Sequence, residues 1–216
     1  MTLTSSFQGF HPEAITFFEQ LARDNSKAFW DAHRGTYDEH VRAPMKALER
    51  SLEGLFGTGH LYRPNRDLRF TKDKRPYKEN AAISFGGRGP RAVAGRHVHL
   101  DASGVFVAIG AYRLEGEVLA AYRRAVADPR AGERLEQIVA GLRAKDYVVH
   151  GEELKRVPHG FEADHPRAGL LRHKGLAAVR RWPVEPWLFT PEAGDRILQV
   201  FADGEALVTW LRRHVA

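Results

Sequence analysis

No cysteine occurs among the 216 residues. That absence excludes a disulfide framework, cysteine–zinc and iron–sulfur sites, and any thiol nucleophile, and it suits a reducing compartment. Long apolar runs are missing too: the longest, Val105 to Ala111, falls far short of the ~20 residues that span a bilayer. The opening Met1-Thr2-Leu3-Thr4-Ser5-Ser6-Phe7 lacks the positive charge and apolar stretch of a secretory signal. No membrane association is expected, and the protein is read as cytoplasmic. Without an internal repeat, low-complexity tract or linker, residues 1–216 read as a single domain, long enough to bury roughly 70% or more of the surface of the unfolded chain.

What the chain has in excess is positive charge, formally +6. Arg outnumbers Lys and Ala is abundant, a bias that a GC-rich genome also produces. Net sign alone speaks only to non-specific attraction. Clustering carries more information than the total.

Along the chain, the first quarter is helical in period. His11-Pro12-Glu13 suits a helix start, with Phe10, Ala14, Phe17, Phe18 and Leu21 on one face. From Ser26, apolar positions Trp30, Tyr37, Val41, Met45, Leu48, Leu52 and Leu55 continue the pattern, and Pro44 must kink or divide it. The centre switches to strand period around Leu68–Phe70, Ala81–Phe85, Val98–Leu100 and Val105–Ile109, the last two forming a hairpin. The stretch from Gly86 to Gly95 has no period and is expected to be a loop. Helices return at Glu117–Val126 and Ala131–Leu142, with short strands near Tyr147–Val149 and Ala177–Trp182 and a last helix from Thr190-Pro191-Glu192. The expected class is α+β: a mostly antiparallel central sheet packed by N- and C-terminal helices.

The densest polar segment is Arg63 to Lys78, in which Arg63, Arg66, Arg69, Lys72, Lys74, Arg75 and Lys78 accompany Asp67, Asp73 and Tyr77. Read as a strand, Arg66 to Thr71 turns Leu68 and Phe70 to the core and Asp67, Arg69 and Thr71 to the other face. Arg66 then shares the apolar side, where an unpaired guanidinium costs several kcal/mol, so it needs a carboxylate, carbonyls or an anion. Pro76 biases Arg75 toward an extended conformation and restricts the directions of Lys74, Tyr77 and Lys78. Arginine forks and lysine point charges together suit a phosphate or carboxylate.

The candidate ligand-binding residues are therefore Arg63, Arg66, Asp67, Arg69, Asp73, Lys74, Tyr77 and Lys78. Asp67, which could orient an arginine or act as a base, and Tyr77 are the candidate catalytic groups. The alternative is a solvated edge, where each surface ion pair contributes only ~0–1 kcal/mol.

These residues carry a resemblance. Arg63, then Arg66-Asp67-Leu68-Arg69-Phe70, Asp73-Lys74 and Pro76-Tyr77-Lys78 resemble the hallmark of a bacterial family called domain of unknown function twenty-four sixty-one. The similarity extends through Phe7-Gln8-Gly9-Phe10, Asn25 to Trp30, Arg42-Ala43-Pro44-Met45, Leu154-Lys155-Arg156 and Gly160-Phe161. It implies no activity, cofactor or substrate, and adds weight to the central segment as a ligand site.

Weaker candidates lie elsewhere. His97, His99 and Asp101 alternate on a strand and share a face, a spacing used by some metal sites and more often by exposed histidines. Asp164-His165 could serve as acid and base, although Asp164 also suits a helix cap ahead of Arg167 to His173. Lys155 and Arg156 could add charge to the central site. Gly86-Gly87-Arg88-Gly89 lacks the ending of a phosphate loop. Trp182, Trp187, Trp210 and Phe189 read as core packing. No metal site is expected, and the cofactor and oligomeric state stay open. The sequence favours a small anionic ligand, a nucleotide among the candidates, over a nucleic-acid backbone or a purely internal charge network.

Overall fold

Helix α1 (Pro12–Arg23) begins where the sequence places it. The His11 ring accepts the backbone N–H of Glu13, and Pro12 occupies the first turn, where its missing donor would have no partner anyway. Ala14, Ile15, Phe17, Phe18 and Leu21 form the buried face. These details come from a computed structural model that describes residues 7–69, 72–86 and 93–215.

Asp24-Asn25-Ser26 ends α1, and the Ser26 hydroxyl caps α2 (Lys27–Thr36) by accepting the Phe29 N–H at 3.1 Å. The apolar run beyond Trp30 is divided near Pro44, with a π-helical segment at Tyr37–Arg42 joining α2 to α3 (Ala43–Phe56). There the Ala43 N–H reaches back five residues to the Asp38 carbonyl. The wider turn brings the chain past a proline that can donate nothing.

The strands are β1 (His60–Leu61), β2 (Asn80–Phe85), β3 (Gly95–Asp101), β4 (Gly104–Gly110), β5 (Val148–His150) and β6 (Ala177–Trp182). They form an antiparallel sheet in the order β1-β2-β3-β4-β6-β5, so the α+β class is as the sequence predicts. His60 lies opposite Ser84, and Val149 opposite Ala178. Strand β3 alternates: Arg96, Val98 and Leu100 are buried, while His97, His99 and Asp101 share a half-buried face. The remaining helices are α4 (Gly116–Ala127), α5 (Pro129–Arg143), α6 (Ala168–Arg172), α7 (Glu192–Asp203) and α8 (Glu205–Val215). Among the described residues no helix is long and apolar enough to cross a membrane.

Three expectations need correction. Residues 66–69 are not in a strand, and the pairing expected of Arg66 to Thr71 reduces to an isolated bridge between Asn65 and Tyr77; Phe70 and Thr71 lie outside the described residues. The final helix is two: Gly204 separates α7 from α8, and a Cβ there would stand 2.2 Å from the Ile109 side chain. Asp164 does not cap α6; the His165 ring instead accepts the Arg167 N–H at 3.0 Å. Of the expected loop from Gly86 to Gly95, residues 87–92 lie outside the described residues, and Gly95 already belongs to β3.

The described residues fall into two compact units. The first takes the chain up to Phe85 together with His97–Val107 and Arg181–Gln199. Its core gathers Phe17, Phe18, Leu21, Met45, Leu48, Leu52 and Ile83, with the Phe17 ring 5.9 Å from Trp30 and 5.6 Å from Tyr37. Trp187 is buried here, beside a half-buried Trp182. The second unit holds Ala108–Arg180, the described part of Gly86–Arg96, and the chain from Val200 onward. Its core gathers Tyr122, Leu135, Leu142, Leu207 and Leu211. Trp210 is buried in it and donates to the Ala131 carbonyl at 2.9 Å.

Candidate functional site

The basic segment belongs to the first unit. It forms a loop closed at its base where Asn65 faces Tyr77: the Arg66 N–H donates to the Pro76 carbonyl at 2.9 Å and the Lys78 N–H to the Pro64 carbonyl at 2.8 Å. Tyr77 directs its own N–H and C=O elsewhere, and Asn25 meets both. The Asn25 Oδ1 accepts the Tyr77 N–H at 2.9 Å, and its Nδ2 donates to the Tyr77 carbonyl at 3.2 Å. A carboxamide carries a donor and an acceptor as a peptide group does, so Asn25 completes the pairing as a neighbouring strand would. The Tyr77 ring, 7% exposed, stacks on Trp30 with centroids 4.3 Å apart.

Carboxylates occupy most of the arginine forks. Half-buried Arg66 donates through Nε to the Tyr77 carbonyl at 2.8 Å and through a terminal nitrogen to Asp73. This supplies the carbonyl and carboxylate that its partial burial requires, although no strand face sets the requirement. Asp73 also accepts from Arg75 Nε at 3.0 Å and from its terminal nitrogen at 2.7 Å, while Arg75 reaches Glu79 at 2.6 Å. Glu79 in turn accepts from Asn25 at 3.2 Å. The Arg75 hydrogen bonds, followed by the nearby charge of Arg66, hold the Asp73 carboxyl well below the usual carboxylate range.

Asp67 and Arg69 form a separate exposed clasp, with guanidinium contacts of 2.9 and 2.6 Å and the Arg69 N–H at 3.2 Å. The hydrogen bonds from Arg69 lower the Asp67 pKa, and Arg63 adds a smaller push in the same direction.

Seven basic residues against Asp67, Asp73 and Glu79 leave a formal excess of +4 between positions 63 and 79. Arg63, Lys74 and Lys78 have no carboxylate partner among the described residues. Lys74 donates to the Leu68 carbonyl at 3.2 Å. Lys78 donates to the Arg63 carbonyl at 2.9 Å, and its ammonium lies 5.5 Å from the centre of the Tyr62 ring. Burial, then the like charges of Arg63 and Arg66, lower the Lys78 pKa.

A polar chain runs from Tyr62 along one face of the sheet. The Tyr62 hydroxyl donates to Ser84 Oγ at 3.2 Å, and Ser84 Oγ lies 2.9 Å from His97 Nδ1. His99 stacks on Phe106 at 4.5 Å and meets Asp101 at 2.9 Å, while Asp101 also accepts from the Ser103 N–H at 2.7 Å. Burial, helped by the neighbouring His99, lowers the His97 pKa to about 4. The sequence therefore placed His97, His99 and Asp101 correctly on one face. Among the described residues no group of three or more His, Asp or Glu is arranged to hold a metal.

Sequence reasoning brought Arg66 and Asp73 into one segment but missed Asn25, Trp30 and Glu79 as partners of that segment and Tyr62 and Ser84 as the polar groups leading to His97. Asn25 precedes Tyr77 by 52 residues, and the only local signal was its place in a helix break. Lys155, Arg156, Asp164 and His165 belong to the second unit, where Lys155, Arg156 and Asp164 are exposed.

Among curated proteins, no match to the chain is found. Residues 13–210 match the family model described as a conserved hypothetical protein (DUF2461). That span takes in the charged loop, its Asn25 clamp and the histidine-bearing sheet face, and the chain belongs to this family.

Proposed function

We propose that the chain binds a small phosphate- or carboxylate-bearing ligand in its first unit, held by Lys78 and Arg63 beside the ring of Tyr62. The observation that carries this reading is the Lys78 ammonium: it is partly desolvated, tied to the Arg63 carbonyl at 2.9 Å, and flanked by the like charges of Arg63 and Arg66. An anion placed among these groups relieves their mutual repulsion and gains charge-assisted hydrogen bonds. Tyr62, with His60 at 4.8 Å and His97 at 6.3 Å between ring centroids, supplies a flat surface beside the charge, which suits a nucleotide-like ligand.

Within this reading the motif divides its labour. Arg66, Asp73, Arg75, Glu79, Tyr77 and Asn25 hold the loop, and the cations without carboxylate partners meet the ligand. Arg69 already has its fork filled by Asp67 and contributes less.

Calorimetric titration with inorganic phosphate, pyrophosphate and AMP tests it. Saturable binding, weakened at least tenfold in Lys78→Gln and Arg63→Gln, is the expected result. Flat titrations with all three would overturn it. Binding to RNA whose affinity falls steeply with salt would point instead to a nucleic-acid backbone.

A second reading follows from one specific observation: Arg66, Asp73, Arg75 and Glu79 are chained together by ion pairs and clamped by Asn25. Here the motif only fixes the loop, and no anion raises the melting temperature.

A further inference from the structure

In the second unit, α5, β5 and α6 surround a groove of about 800 Å³, within the roughly 300–1,000 Å³ range of small-molecule sites. Its apolar lining comes from Val139, Val149 and Leu170. Arg143 and Arg172 bring positive charge to the same lining, beside the His173 imidazole. Arg143 has no carboxylate partner among the described residues. Arg172 meets Glu153 through one terminal nitrogen at 3.0 Å, while its Nε, shielded from solvent, has no hydrogen-bond partner. A guanidinium fork suits two-point contact, and this one makes a single contact. Burial, with smaller pushes from the charges of Arg143 and Arg172, lowers the His173 pKa, which places both guanidinium groups within electrostatic reach of the same neutral imidazole.

The carboxylates facing this groove are partly committed. Glu136 lies 3.6 Å from Arg167, whose other nitrogens are occupied by the Val126 carbonyl at 2.6 Å and the Ala127 carbonyl at 3.1 Å. That leaves Arg143 and the terminal nitrogens of Arg172 as the groups best placed to hold a negative charge.

We propose that this groove binds a small amphiphilic anion, its carboxylate or phosphate held by Arg143 and Arg172 and its apolar part laid on Val139, Val149 and Leu170. The proposal rests on a different unit from the Lys78–Arg63 site and stands independently of it.

The test is calorimetric titration of the full chain with benzoate, phenyl phosphate and inorganic phosphate. At least one of the two aryl anions is expected to bind saturably and at least tenfold more tightly than inorganic phosphate, and the better of the two identifies the preferred head group. Arg143→Gln should weaken that binding at least tenfold. Gly169→Trp supplies a check that leaves the charges alone: Gly169 lines the groove, and a Cβ there meets nothing within 4 Å, so the indole can fill the space and block binding. Lys78→Gln should leave binding at this groove unchanged. The proposal is overturned if neither aryl anion binds, if inorganic phosphate binds the Lys78→Gln chain as tightly as the aryl anions do, or if binding survives both Arg143→Gln and Gly169→Trp.

Discussion

The phenol ring of Tyr77 lies nearly parallel to the indole of Trp30, with planes 10° apart and centroids separated by 4.3 Å. This contact seats the base of the charged loop on α2. A residue from the densest basic segment thus serves as an anchor in an aromatic cluster, while its backbone is held by Asn25.

Truncation of that anchor should be costly. Tyr77→Ala is expected to destabilise the fold by about 3–5 kcal/mol, as removal of a large buried ring does. Tyr77→Phe keeps the stack and should cost less than about 1.5 kcal/mol. Urea denaturation of both variants measures the difference, and a large loss in Tyr77→Phe would give the hydroxyl a role that ring packing does not supply.

Asn25→Ala removes the hydrogen bonds to the Tyr77 N–H, the Tyr77 carbonyl and Glu79. At about 1 kcal/mol for each, the expected loss is about 2–3 kcal/mol. Chemical denaturation gives the magnitude. Hydrogen exchange at the Tyr77 amide should accelerate in the same variant, because its acceptor is gone.

His97 should make the protein acid-sensitive before its carboxylates titrate. Its folded pKa of about 4 lies below the ordinary value of 6.5, so the unfolded chain binds the proton more readily. The contribution to stability is fully present above pH about 6.5 and is lost as the pH falls toward 4, amounting to about 2–3 kcal/mol. Denaturation midpoints across this window should fall in the wild type and fall less in His97→Gln. His99 and Asp101 face the same region, and the burial-depressed His99 pKa adds to the slope, so the variant should flatten the profile without abolishing it.

Gly104, at the β3–β4 hairpin, has φ +124°, and a Cβ there would stand 2.2 Å from the Trp182 carbonyl oxygen. Gly104→Ala therefore meets backbone, which cannot swing aside as a side chain can. A loss of about 3 kcal/mol or more is expected from strain and crowding together. Thermal unfolding would show it as a lowered midpoint.

The alternation of Val98, His99, Leu100 and Asp101, followed by Ser103-Gly104, made the hairpin legible because strand period and turn chemistry are both local signals. The Pro12 and Ser26 helix starts were legible for the same reason. The 66–71 segment misled because Leu68 and Phe70 mimic strand period, whereas a side-chain-to-backbone clasp joins Asp67 to the Arg69 N–H, and another joins Asp73 to the Arg75 N–H beyond it. Such clasps compete with regular pairing and leave no periodic trace. The Pro44 break was foreseen, but the preceding π-helical turn carries no residue signature that distinguishes it from an α-helix.

The candidate site was legible only as composition. That Arg66 needs a carboxylate, carbonyls or an anion followed from electrostatics once burial was assumed, and it has a carbonyl and a carboxylate. Which partner supplied them, and that Asn25 would clamp Tyr77 from 52 positions away, depended on tertiary folding that no local pattern encodes. Tyr62 and Ser84 were missed likewise: they stand 22 positions apart with the whole basic loop between them, and only the β1–β2 register brings them together.

The way the polypeptide is shared out has its own outcome. The body that carries the charged loop is woven from three separate lengths of chain, the last of them more than seventy positions beyond the second. A gene fragment stopping at Phe85 would encode the loop and its helices yet omit the histidine-bearing strand that neighbours Tyr62. Excision of either half of the gene would therefore leave this unit without one of its lengths of chain.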